Sequence, residues 1–315
     1  VRPGGDSGVV RIRGTERAIA ATTDCNGRFV YLDPREGAMI AVAEAARNLV
    51  CSGAMPTAIT NNLNFGNPLK EHIYYQFREA VLGMADACKT FETPVTGGNV
   101  SFYNETDGKA IYPTPVIGMV GIIENISHIL PQSFQSQGDD IILLGENTAE
   151  LGGSEYLYVT ADLVAGFPPR VDLTHERQLQ RAVLAMIQEN ELRSAHDCSE
   201  GGLACALAEC ALGDGESPFG VNVELDDALA PVATLFAESQ GRIVVSCDPN
   251  RTQDVIRIAM DHGVPARKIG AVKDRGESFH VTALSGRIEA ELSKLHDAYF
   301  GAIPAIMNIP VSSES

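Results

Sequence analysis

The sequence predicts two consecutive domains of α+β class, each with helices layered on a sheet. Three observations carry this. At 315 residues the chain exceeds what one ordinary core organises. Short strand-like runs alternate with segments of helical periodicity along the whole length. The text also turns polar over 125–138, with Ser, Gln and Pro, before apolar patterning restarts at Asp139-Asp140-Ile141. The predicted organisation is a first domain over 1–124, a linker over 125–138 and a second domain over 139–315.

Residues 9–12 and 18–23 read as strands. Asp33 is placed to N-cap a helix, with Pro34 at its first position and Glu36 reaching back from the third. Small and apolar residues fill 38–50 and Gly53 supplies the stop. So Ala-rich a run packs closely and predicts a buried helix. A strand over 57–60 leads into a loop holding Asn61, Asn62, Asn64 and Asn67 with Gly66. Asn67-Pro68 opens a second helix, in which Ile73, Phe77, Val81, Met84, Ala85 and Cys88 follow helical spacing. Strands are expected over 93–95 and 115–123. The second domain reads as strands over 141–144 and 242–247, with helices over 177–188, 202–212, 251–262 and 289–298.

The composition is globular, 44% hydrophobic and 21% charged. A net charge of −17 argues against binding nucleic acid or an anionic membrane non-specifically. It leaves room for a small phosphorylated ligand, because local amides and a metal ion outweigh a distant field. The seven cysteines are an odd number without a C-x-x-C pair, which fits neither a disulfide framework nor a zinc pattern. They read as small buried hydrophobes in a reducing compartment. No apolar run reaches the roughly 20 residues of a membrane span. The start lacks a signal-peptide pattern, so the expected location is cytoplasmic. It also lacks an initiator Met, which leaves open a fragment, a processed chain or further upstream sequence.

Five segments could carry chemistry. Thr96-Gly97-Gly98-Asn99-Val100-Ser101 follows an expected strand. Its glycines let backbone approach a phosphate, Asn99 offers an amide oxygen to a metal ion, and Ser101 offers a hydroxyl to an anionic oxygen. The bare Gly-Gly-Asn is more often a turn, and the P-loop Gly-Lys-Ser/Thr is missing; the amide-rich loop over 61–68 favours the ligand reading. Thr22-Thr23-Asp24-Cys25-Asn26 sets a carboxylate at a strand end, either for a hard cation or as a turn before a strand at Tyr31. His196-Asp197-Cys198-Ser199-Glu200-Gly201-Gly202-Leu203 gathers polar groups before a helix N-terminus, a favourable place for an anion. His196 has no defined Ser or Cys partner, and structural hydrogen bonding is the alternative. Leu151-Gly152-Gly153-Ser154-Glu155 is another Gly-rich loop. Glu238-Ser239-Gln240-Gly241-Arg242 joins a helix to a strand, where a Glu–Arg pair would be an ordinary surface salt bridge.

In this order, and together with Glu44-Ala45-Ala46-Arg47-Asn48-Leu49 and Pro113-Thr114-Pro115, these segments resemble the phosphoribosylformylglycinamidine synthase family, in the aminoimidazole ribonucleotide synthetase superfamily. The resemblance covers nearly the whole chain and is to the family's C-terminal half. It implies an N-terminal half-barrel domain that pairs with a sister domain, followed by a C-terminal α/β domain. The implied activity is ATP-dependent conversion of formylglycinamide ribonucleotide to formylglycinamidine ribonucleotide, through an iminophosphate attacked by ammonia. The small form of the family takes that ammonia from a separate glutaminase subunit, with a small accessory subunit in the complex.

The resemblance assigns Gly98 and Asn61 to ATP, Asn99 to magnesium and Ser101 to substrate. Asn61 stands where an Asp is usual, which keeps an acceptor oxygen but loses the charge. Asp24, Asn48, Asp197, Glu238 and Gln240 correspond by symmetry to first-half ligands and would face an auxiliary nucleotide site. The family's Glu-Ser-His-Asn-His-Pro motif, with its catalytic His, is absent, so no catalytic residue is expected here and the chain alone is expected to be inactive. The implied cofactors are ATP and Mg2+. The implied partner is the N-terminal half or a second copy of this chain. An alternative is a non-catalytic assembly half holding ADP, or another member of the superfamily.

Overall fold

The computed structural model describes residues 5–276 and 278–307. In chain order the first region comprises β1 (Gly8–Arg11), β2 (Ala18–Asp24), α1 (Gly27–Leu32), α2 (Pro34–Cys51), β3 (Met55–Asn64) and α3 (Glu71–Phe91). It continues with β4 (Val95–Ser101), β5 (Glu105–Thr106), β6 (Lys109–Ala110) and β7 (Thr114–Ile123). The second region begins with β8 (Asp140–Leu144), α4 (Glu155–Ala161), α5 (Leu173–Gln188), β9 (Ser194–Asp197) and α6 (Gly202–Leu212). It ends with β10 (Phe219–Leu225), α7 (Pro231–Phe236), β11 (Ile243–Cys247), α8 (Thr252–Asp261), β12 (Ala266–Arg275), β13 (Phe279–Ala283), β14 (Gly286–Ala290) and α9 (Leu292–Ile306).

The first sheet has the order β1-β2-β7-β3-β4, antiparallel except for the parallel β3–β4 pair at one edge. Strand alternation divides it into two faces. Ala18, Ala20, Ile59, Leu63, Ile117, Met119 and Ile123 pack under α2 and α3. The opposite face leaves Val10, Ile19, Met55 and Val120 exposed, Val10 by 71%. α2 is the buried helix its small residues predict, with Ala38, Ala41, Ala45 and Ala46 fully buried. Asp33 caps it through the N–H groups of Arg35 and Glu36, with Pro34 in the first turn.

Several local expectations change. Residues 61–64 are not a loop but the second half of β3. Asparagine disfavours strands, yet β7 and β4 supply main-chain partners on both sides, and Ile59 and Leu63 alternate into the core. Likewise Gly97 to Ser101 lies within β4 rather than after it. No strand forms at Tyr31: Asn26 caps α1 there by accepting from the N–H groups of Arg28 and Phe29. Asn67 makes a turn, and α3 begins at Glu71. Glu36 does not close a capping box; its carboxylate accepts from Arg170 Nη1 at 3.0 Å and from the Val171 N–H at 2.6 Å. Residues 289–290 finish β14, and the last helix starts at Leu292.

The second sheet has the order β14-β13-β10-β12-β8-β11-β9. All five residues of β8 and of β11 are buried; their apolar side chains are covered on both faces, and the polar Asp140 and Ser246 are hydrogen-bonded to Thr252 and Ser194. Ile141, Leu143 and Val244 face Leu203 and Leu207 of α6, while Ile142, Leu144 and Val245 face α5 and α8. α2 joins the two regions. Its last turn, Val50 and Cys51, belongs to the core formed with α5 and α8, and its flank packs on α5 and β9.

Candidate functional site

Where α2 meets β2 and β9, a group of charged side chains is buried around one arginine. On a helix, positions three and four apart share a face, so Glu44, Arg47 and Asn48 all point at this junction. Arg47 is fully buried. Its Nη1 donates to Glu176 Oε1 at 2.5 Å, its Nε to Asp197 Oδ2 at 3.3 Å, and its Nη2 to Gln240 Oε1 at 2.9 Å and Glu44 Oε2 at 3.5 Å. Asn48 Nδ2 donates to Asp24 Oδ2 at 3.3 Å. Asn26 Nδ2 reaches Glu200 Oε1 at 3.4 Å.

Carboxylates outnumber the one guanidinium, and the protonation equilibria reflect it. Burial first, then repulsion from Glu200 and Asp197, holds the Asp24 carboxyl well above its usual range. Burial and the charges of Asp24 and Glu200 do the same to Glu44. Asp197 is pushed up to about 7 by burial, against the opposing pull of Arg47. Burial alone would lower Arg47, but Glu176, Asp197 and Glu44 together raise it. A hard divalent cation would offset the same charge excess, and the donors present are carboxylate and amide oxygens, which suit Mg2+.

Next to this group, Glu238 Oε1 accepts from the N–H of Gly201 at 2.9 Å and of Glu155 at 2.8 Å. Gly201 sits at φ 79° as the N-cap of α6, a conformation that suits glycine. The Gly201 N–H at this helix N-terminus therefore already holds an internal carboxylate, shared with the first N–H of α4. Burial raises Glu238 to about 7, and its Oε2 has no partner among the described residues. Arg28 pairs with Glu155 and donates to the Gly153 carbonyl, tying the 151–155 loop to α1. Arg242 makes no surface salt bridge. It is fully buried and donates to the Ser239 and Ala237 carbonyls and to Asn147 Oδ1, which organises the 237–242 loop from within.

Asn61, Gly98, Asn99 and Ser101 lie at the β3–β4 edge. Asp24 and Asn61 both pair with Ile117, and Gly98 pairs with Asn61. Asp24, Ile117, Asn61 and Gly98 thus form one row across four strands, about 14 Å long at roughly 4.8 Å per strand. A Cβ on Gly98 would stand 2.0 Å from Asn61 Oδ1 and 2.6 Å from its carbonyl oxygen. Asn99 and Ser101 project to the opposite, open face, where Asn99 Nδ2 donates to Asn62 Oδ1 and Ser101 Oγ to Asn104 Oδ1.

The structure therefore brings Asp24, Asn48, Asp197 and Gln240 together, with Glu238 adjoining, and keeps the Asn61–Ser101 set apart at the sheet edge. Sequence reasoning assigned no role to Glu44, Arg47, Glu176 or Glu200. The available signal was the pair of charges inside an otherwise Ala-rich buried helix, since such charges stay buried only when partnered.

Two family models match the chain: AIR synthase related protein, N-terminal domain, over residues 4–123, and its C-terminal domain over residues 136–282. The chain belongs to the AIR synthase related family. Among its relatives it is similar to phosphoribosylformylglycinamidine synthase subunit PurL of Caldanaerobacter subterraneus, 48% identical over 96% of this chain. It is also 48% identical, over 97% of its length, to the subunit of that name in Moorella thermoacetica. In both cases it spans only 41% of the relative's own length.

Among solved structures, Thermotoga maritima PurL complexed with FGAR matches with a TM-score of 0.79 and 21% identity, over 93% of this chain and 48% of that one. AaThiL complexed with AMPPCP and TMP matches at 0.62 and 15%, over 91% and 90%. These likenesses establish the fold, an AIR synthase-like pair of α+β units. No helix among the described residues is long and apolar enough to cross a membrane.

Proposed function

We propose that the chain is the C-terminal half of an ATP-dependent phosphoribosylformylglycinamidine synthase, divided at 125–138 into a pairing unit and an α/β unit. The observation that carries this is the buried carboxylate–amide group at Asp24, Glu44, Asn48 and Asp197, in a chain whose relatives bear that name. On this reading the group holds a nucleotide polyphosphate through Mg2+, with Glu238 and Gln240 at its margin. The cation would supply charge neutralisation for phosphate oxygens. The raised equilibria of Asp24 and Glu44 support it, since both carboxylates gain from a positive charge beside them.

The β3–β4 edge completes a second, shared site. Gly98 and Asn61 approach ATP, Asn99 offers its amide oxygen to Mg2+, and Ser101 meets the substrate. Val10, Ile19, Met55 and Val120 form the apolar face against which a sister sheet would close. That partner is the N-terminal half or a second copy of this chain, and the glutaminase and accessory subunits join the complete assembly. Relatives named as subunits support a multi-chain assembly. Cytoplasmic residence follows from this reading.

Isothermal titration of Mg·ADP into the chain tests the nucleotide site. Saturable binding, weakened about 10-fold or more by Asp24→Asn, is expected, at about 1.4 kcal/mol per factor of ten. No binding to the folded wild-type chain would overturn it. In an ammonia-dependent assay the chain alone is expected to form no formylglycinamidine product, and turnover would overturn the half-enzyme reading.

A further inference from the structure

His196 in β9 is held between two carboxylates, one from the N-terminal segment and one from the neighbouring helix α6. Its Nδ1 lies 2.6 Å from Asp6 Oδ1 in the N-terminal segment, and its Nε2 lies 2.8 Å from Glu209 Oε2 in α6. The Asp6 and His196 side chains are 5% and 7% exposed. An ionised carboxylate only accepts, so Nε2–H donates to Glu209. By the same rule Nδ1–H donates to Asp6, so without a cation His196 is an imidazolium, and a cation bound at Nδ1 would displace that proton. The second Asp6 oxygen, Oδ2, is buried and has no partner among the described residues. An orphaned buried carboxylate oxygen is destabilising, and a cation would relieve it.

We propose that Asp6, His196 and Asp197 form a binding site for a divalent transition-series cation, Zn2+ or Mn2+, which adjoins the nucleotide group of the proposed function and shares Asp197 with it. One ligand atom from each residue can be chosen so that all lie within 4.8 Å of one another. Ligand atoms about 2.1 Å from a tetrahedral ion stand roughly 3.4 Å apart, so a separation at the 4.8 Å limit closes by about 1.4 Å, shared between two side chains. One imidazole nitrogen with two carboxylates favours a borderline ion over Mg2+. Glu209 on the far nitrogen is the arrangement that fixes a metal-bound imidazole and raises its basicity. A cleft of about 450 Å³, walled also by Thr22, Gln132, Tyr299 and, on the side of the nucleotide group, Asn48, gives the ion a way in. Asp197 is the wall shared with the nucleotide group, through its bond to Arg47.

The test uses the whole chain without nucleotide. Zn2+ titration is expected to show one tight site, and electron spin echo of bound Mn2+ to show imidazole nitrogen coupling. His196→Gln and Asp6→Asn are each expected to weaken Zn2+ by about 10–100-fold, Glu209→Gln by about 10-fold, and Asp24→Asn by under about threefold. The echo signal needs no variant, so it decides the matter even where a variant misfolds. The proposal is overturned if Zn2+ fails to bind at about millimolar concentration, which would leave His196 a buried imidazolium. Missing nitrogen coupling, or a loss on Asp24→Asn equal to that on His196→Gln, would also overturn it. Mg·ADP binding is read separately on the chain without added Zn2+, so its failure and the failure of the cation site are distinguishable.

Discussion

Arg47→Met isolates the charge balance of the α2 junction. Methionine retains most of the apolar stem, so the main effect is loss of the guanidinium. Glu176 and Asp197 then remain desolvated without the donors now at 2.5 and 3.3 Å. Removing one partner of a buried ion pair costs about 3–5 kcal/mol. The remaining carboxylates can shed part of that cost by binding protons, at about 1.4 kcal/mol per pH unit for each group. A carboxyl whose folded pKa is raised holds its proton more tightly when folded. Its contribution is therefore full in acid and is lost as pH rises toward that pKa. For wild-type Asp197, raised to about 7, the loss is complete near neutrality.

Without Arg47 the Asp197 carboxyl moves higher still. Between pH 8 and 6 the variant then recovers about 2.7 kcal/mol through this one group and the wild type about 1.4. The expected destabilisation is thus about 3–5 kcal/mol at pH 8, smaller by about 1 kcal/mol at pH 6. Urea unfolding followed by circular dichroism at both pH values measures it. A loss under about 1 kcal/mol at pH 8, or one that does not change with pH, would refute Arg47 as the counterion of the group.

Three further outcomes follow from the same structure. Glu238→Gln keeps the acceptor for the Gly201 and Glu155 amides but removes a carboxyl raised to about 7. It should flatten the decline in stability between about pH 4.5 and 7, and an unchanged pH–stability curve would count against a buried titrating Glu238. Gly98→Ala pushes a methyl against the immobile Asn61 carbonyl, 2.6 Å away, and is expected to cost about 1–3 kcal/mol. A thermal melt within a degree of wild type would contradict that packing. Val120→Lys places a charge on the open sheet face, where Val120 is 43% exposed. If the chain self-associates through that face, sedimentation velocity should show pairs for the wild type and monomers for the variant, whereas variant pairs as tight as wild type would move the contact elsewhere.

Much of the architecture was legible. The capped, Ala-rich α2, the amphipathic α5 and the buried β8 follow from caps, spacing and apolar runs, because each depends on neighbours within a few residues. The errors share a cause. Asn61 to Asn64 and Gly97 to Ser101 carry poor strand propensity and became strand through pairing with distant partners, β7 and each other. Tyr31 looked like strand text, yet the local cap from Asn26 made it helical. Glu36 met the pattern of a capping box and was instead taken by Arg170 and Val171, more than 130 residues away.

The sequence by itself determined the α+β class, the helix and strand periodicities, the acidic charge, and the motifs whose order marks the AIR synthase related family. It also named Asp24, Asn48, Asp197, Glu238 and Gln240 as a set. Docking of the elements decided that Arg47, with Glu44 and Glu176, holds Asp197 and Gln240, that Asn61 shares a row with Asp24 while Asn99 faces away, and that His196 bridges Asp6 and Glu209. Spacing along a chain reports which face a residue takes within one element. Convergence of charges from β2, α2, α5, β9 and the N-terminal segment depends on how those elements dock, and so on the fold as a whole.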